Sequence, residues 1–137
     1  MTREQAIARL QIERLQERAE NPADTLDMLA ALRMLATAFV HTSFYEPRQY
    51  FEERDFHRAL LMLEVAQAIR PDDASVCYSL ARAYVGLGRK DNAVAALESM
   101  AASVRLDPDR LERDPELTVL RDYPAFRELL TKLRNGG

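Results

Sequence analysis

The stretch VCYSLARAYVGLGRKDNAVAALESMAASVR, Val76–Arg105, decides the fold. Val76, Leu80, Ala83, Tyr84 and Leu87 recur at three- and four-residue intervals, the signature of one buried side of a helix running from about Ala74 to Leu87. Gly88 follows as the residue type that closes a helix in a left-handed cap. Asp91 opens a second helix, whose stripe is Ala93, Val94, Leu97, Met100, Ala101 and Val104. Two apolar stripes separated by so short a turn describe a pair of antiparallel helices.

Working upstream, Asp73 is placed to cap the first of these helices, and Arg70-Pro71-Asp72 to end the one before it. That earlier helix is capped by Asp55 and carries Ala59, Leu60, Leu63, Ala66 and Ile69 on one side. Shifted by 34 residues, RDFHRAL (54–60) lies under GRKDNAV (88–94), Leu63 under Leu97, Ala66 under Met100 and Tyr50 under Tyr84. A period of this length is a repeat of two helices.

On these residues the chain resembles the tetratricopeptide repeat family. Leu80, Ala81, Tyr84, Ala93 and Leu97 stand at the family's pattern positions, and Ile69-Arg70-Pro71-Asp72 resembles its inter-repeat turn; the match runs from about Tyr50 to Leu106. The resemblance implies an all-α, right-handed superhelix of antiparallel helix pairs, with about six helices and a C-terminal capping helix. It divides a single domain, 1–137, into a packing helix (1–21), a degenerate first repeat (22–71), a second repeat (72–107) and a capping segment (108–137). Small residues such as Ala59, Ala81 and Ala93 let neighbouring helices approach, and Leu63, Leu97 and Tyr84 fill the space between them.

Further out the reading rests on the residues themselves. Thr2-Arg3-Glu4-Gln5 fits a capping box ahead of a helix to Glu20 with Ile7, Ala8, Ile12, Leu15 and Ala19 on one side. Asn21-Pro22 reads as the start of the next helix, which is apolar on nearly every face from Leu26 to Val40 and is therefore expected to be buried on several sides. Pro47 predicts a kink or break between Ser43 and Pro47, with Glu46 pushed out of helical geometry and a short resumption from Arg48 to Glu53. No glycine precedes Asp55 as Gly88 precedes the helix of Asp91. Asp107-Pro108 and Asp114-Pro115 start short turns, Leu111, Leu117 and Leu120 are placed to tuck under the last repeat, and Pro124 opens a final helix with Phe126, Leu129, Leu130 and Leu133 before a frayed Asn135-Gly136-Gly137. The closing segment resembles that of many bacterial tetratricopeptide proteins, which implies an appended module.

In the family the first helix of each repeat lines a concave groove. That implies a partner surface of Ser75, Tyr78, Ser79, Arg82 and Val85 from the second repeat, and Phe44, Tyr45, Arg48, Phe51 and Glu52 from the first. Where some members clamp a terminal carboxylate with Lys and Asn, this chain holds Tyr78, Ser79 and Arg82. Six of the ten aromatic residues fall between Phe39 and Phe56. They read either as a wall for a partner, with Tyr45, Tyr50 and Phe51 outermost, or as packing around Pro47, with Phe39 and Phe56 in the core.

The expected partner is a protein or peptide, with a homodimer through the first helix or the aromatic segment as the alternative and a small ligand or substrate held between helices as the third reading. A net charge of −3 argues against nucleic acid, no apolar run is long enough for a membrane span, and the single Cys77 rules out an intrachain disulfide and fits a cytoplasmic setting. Histidines occur only at His41 and His57, and no metal, cofactor or catalytic motif is found, so no enzyme activity is expected. His41 is read as an interior or edge residue, His57 as exposed, and Cys77 as a buried, inert thiol.

Overall fold

The computed structural model describes residues 3–136, with side chains from Ala6 onward, so the proposed Thr2–Gln5 capping box lies outside the described residues. Within them the chain is an all-α helical repeat: α1 (Arg3–Glu20), α2 (Thr25–Val40), a π turn (His41–Tyr45), α3 (Glu46–Glu52), α4 (Phe56–Ile69), α5 (Ala74–Gly86), α6 (Lys90–Ser103), α7 (Pro108–Arg113), a 3₁₀ turn (Pro115–Leu120) and α8 (Pro124–Gly136). Helix α1 packs on α2 and α4, α3 on α4, α4 on α5 and α5 on α6. The tail closes the far end, with the 3₁₀ turn against α5 and α8 against α6 and α7.

Acidic caps punctuate the helices as the sequence suggests. Asp55 accepts the N–H of Arg58 at 3.2 Å and Asp73 that of Val76 at 3.0 Å. Asp107 and Asp114 do the same for Asp109 and Glu116. Each satisfies one of the donors that a helix start leaves bare. Two starts differ from expectation. Helix α2 begins at Asp24, which accepts the N–H of Asp27 at 2.8 Å, and not at Asn21, because Asp24 has the extended backbone that a side-chain cap requires. Helix α6 begins at Lys90 after Arg89, without a side-chain cap, and Asp91 sits inside its first turn, where it accepts the Tyr123 hydroxyl.

Pro47 neither breaks the helix nor displaces Glu46, which keeps helical angles of φ −70° and ψ −46°. The turn ahead of it widens: the N–H of Glu46 reaches back to the carbonyl of His41, five residues earlier. A proline ring clashes with the carbonyl four residues back in an α-helix, and a π turn opens that space. Thr42 supports the turn, its hydroxyl donating to the Ala38 carbonyl at 2.7 Å. Pro47 itself is fully buried, and His41 is exposed on the π turn, its ring 5.7 Å from that of Tyr45.

The core thins from the C-terminal end to the N-terminal end. Ala81, Ala93, Val94, Leu97, Leu111, Leu117, Leu120, Phe126, Leu129 and Leu130 form one buried cluster, so the tail leucines do tuck under the last helix pair. Phe39, Leu60, Leu63, Ala66, Val76, Leu80 and Ala83 form the next, and among the described residues Ile12, Leu35 and Val65 form the third. This overturns the expectation for α2. Ala31, Leu35 and Phe39 are buried, but Leu26 is 76% exposed, Leu29 53%, and Leu32, Met34 and Val40 are exposed as well. Apolar composition marks two faces of α2, while α1 and α4 cover one. Ile7 and Val104 are likewise exposed, and α8 continues in helical form through Asn135 and Gly136.

Candidate interaction groove

Helices α3 and α5 hold the site. Arg48, Phe51 and Glu52 from α3 and Ser79 and Arg82 from α5 face a common space. With Ser43, Phe44 and Pro47 they line a cavity of about 360 Å³. Arg82 links its walls to the tail. The guanidinium carbon lies 4.3 Å from the Phe51 ring centre, close enough for a cation–π contact, and Nε is 3.5 Å from a Glu116 carboxylate oxygen in the 3₁₀ turn. That Nε is buried and makes no hydrogen bond. Arg48 and Glu52, one turn apart on α3, form an exposed ion pair at 3.6 Å. The groove therefore offers an aromatic face, both signs of charge and a hydroxyl within a short span.

The other expected positions lie elsewhere or are engaged. Ser75 donates its hydroxyl to Asp73 at 2.6 Å, reinforcing the α5 cap. Tyr78 donates to Asp114 in the tail; burial first, and then this carboxylate, push its phenol well above the usual range. Tyr78 faces a different cavity, of about 710 Å³, shared with Met100, Leu106 and Leu111. Tyr45 is exposed and packs edge-on against Phe44, with ring centres 5.1 Å apart. Val85 is half-buried in the C-terminal cluster.

Aromatic packing fixes the floor of the groove. Phe51 meets Phe56 edge-on at 6.1 Å, and the Phe56 ring lies on Gly86, where an added Cβ would come within 2.4 Å of the ring. Only a glycine admits that approach. Phe56 is thus half-buried and Phe39 buried, with the Arg70 guanidinium 4.4 Å from the Phe39 ring centre.

Residues 50–112, spanning α4, α5 and α6 and their joints, match the tetratricopeptide repeat family. No curated protein and no solved structure matches the chain. Tetratricopeptide repeats generally mediate protein–protein contact or scaffolding and are typically non-catalytic. Cys77, within the matched residues, is a buried free thiol whose pKa is pushed up, by burial first and then by Asp73 and Asp72. Among the described residues no cluster of His, Cys, Asp and Glu could hold a metal ion, and no helix is long and apolar enough to cross a membrane. Sequence reasoning overlooked Ser43 and Pro47 as groove lining and Glu116 as the ion-pair partner of Arg82; a 34-residue gap leaves no local signal for the last.

Proposed function

We propose that the chain is a protein-interaction module, with no catalytic role of its own, that receives a peptide or partner domain in the groove of Phe44, Arg48, Phe51, Glu52, Ser79 and Arg82. What supports this is Arg82 held against the Phe51 ring at 4.3 Å beside an exposed Arg48–Glu52 pair. Aromatic and arginine side chains anchored in this way dominate protein interfaces. We also propose the division into packing helix 1–21, first repeat 22–71, second repeat 72–107 and capping segment 108–137, acting as one unit appended to a larger protein.

The test is affinity capture compared across variants. Proteins retained by the wild type should be lost with Arg48→Glu and with Phe51→Ala, and kept with Arg113→Glu, which lies outside the groove. Equal capture by all four, with unchanged helical circular dichroism, would refute the groove.

A further inference from the structure

We infer that the outer face of α2 is a second docking surface, and that its occupant is an amphipathic helix of a partner chain carrying a carboxylate near its middle. Leu26, Leu29, Arg33, Ala36 and Val40 are spaced by three and four residues and all are exposed. They face away from the buried Ala31, Leu35 and Phe39, with the exposed Leu32 and Met34 on the two flanks. Phe44 continues the strip at its C-terminal end, so its length from Leu26 to Phe44 is about 27 Å at 1.5 Å per residue, or roughly five turns of helix. Alternating three- and four-residue spacing is the seam along which one helix packs lengthwise on another. A strip of exposed apolar side chains on both sides of one arginine marks an interaction site and not ordinary surface scatter.

Charge selects the occupant. Arg33 is the one charged residue in the seam and lies near its centre; among the described residues it makes no ion pair. The acids nearest in sequence are committed, Asp27 to Arg18 at 2.7 Å and Asp24 to the α2 cap. A second copy docked symmetrically on this seam would bring two Arg33 side chains together around the two-fold axis, which desolvation makes unfavourable. A helix with Leu-type residues at the same spacing and Glu or Asp opposite Arg33 satisfies both the apolar strip and the charge. Phe44 belongs to the strip and to the groove, so the two surfaces are continuous.

The probes are two 24-residue helical peptides, identical in an apolar seam at three- and four-residue spacing, with Glu or Lys at the central seam position. Fluorescence anisotropy with the full chain should show the Glu peptide binding at least tenfold more tightly than the Lys peptide. Arg33→Glu should reverse the order, and Leu29→Glu should abolish both. Phe51→Ala, in the groove, should leave the peptide affinities unchanged, which separates this surface from the groove reading. Equal affinity for the two peptides, or none for either, would overturn the inference. So would a dimer in sedimentation that Leu29→Glu converts to monomer, because a second copy would then occupy the strip.

Discussion

The turn from α3 to α4 and the turn from α5 to α6 share three backbone hydrogen bonds at matching positions. Glu53 donates to Gln49 and Leu87 to Ala83; Arg54 donates to Phe51 and Gly88 to Val85; Asp55 donates to Tyr50 at 2.8 Å and Arg89 to Tyr84 at 2.9 Å. Every member of one set stands 34 residues from its counterpart. The sixth-to-first bond and the left-handed residue before it form the familiar helix-closing motif. Yet one turn uses Gly88 at φ 73° and the other Arg54 at φ 59°. The hairpin geometry is imposed by packing, since Ala59 and Ala93 are both fully buried and so are Leu63 and Leu97. The first turn adopts it despite its residue, and Asp55 offsets part of the strain with a side-chain cap that Arg89 lacks.

If the two hairpins are equivalent in packing, Leu63→Ala and Leu97→Ala should each lower stability by about 3 kcal/mol, measured by urea unfolding. A difference larger than about 2 kcal/mol would break the equivalence. Gly86→Ala comes next, because the new methyl meets the Phe56 ring; a loss of about 1–3 kcal/mol is expected in spite of alanine's better helix propensity. The turns should then respond in opposite directions. Gly88→Ala costs about 1 kcal/mol, whereas Arg54→Gly raises stability by about 0.5 kcal/mol, the gain being reduced by the looser unfolded chain and by loss of the Arg54–Phe56 contact. Thermal unfolding of the two variants side by side measures the asymmetry.

The smallest effect lies in the tail that stands where a third hairpin would begin. Hydrogen bonds from Arg127 and then Arg134 hold the Glu112 carboxyl below the usual range. A carboxyl lowered in the folded state contributes stability above its unfolded value near 4.5, and loses it as pH falls through the folded value. Melting temperature should therefore drop less between pH 5 and pH 3 in Glu112→Gln than in the wild type.

The second hairpin was legible because pattern, cap and glycine agree in Val76–Arg105. The first was harder for two physical reasons. Rules for proline describe an α turn, and the chain changed the turn instead of breaking it at Pro47. Rules for hydrophobicity say that α2 has two apolar faces, but they do not say whether a neighbour covers each of them. In the groove, helical register brings Arg48, Phe51 and Glu52 onto one side of α3, and Ser79 and Arg82 onto one side of α5. It does not foretell that Tyr78 is drawn to Asp114, 36 residues on, by a tail whose path is set by tertiary packing.

Among the described residues, the dwindling of buried clusters from ten to seven to three has a kinetic reading. Helices that share little interior detach at low free energy, while those sealed by the tail open only with the whole molecule. Amide protons on α1 and the outer side of α2 would exchange with deuterium long before those of α5 and α6, so the end that displays its leucines is also the end that breathes.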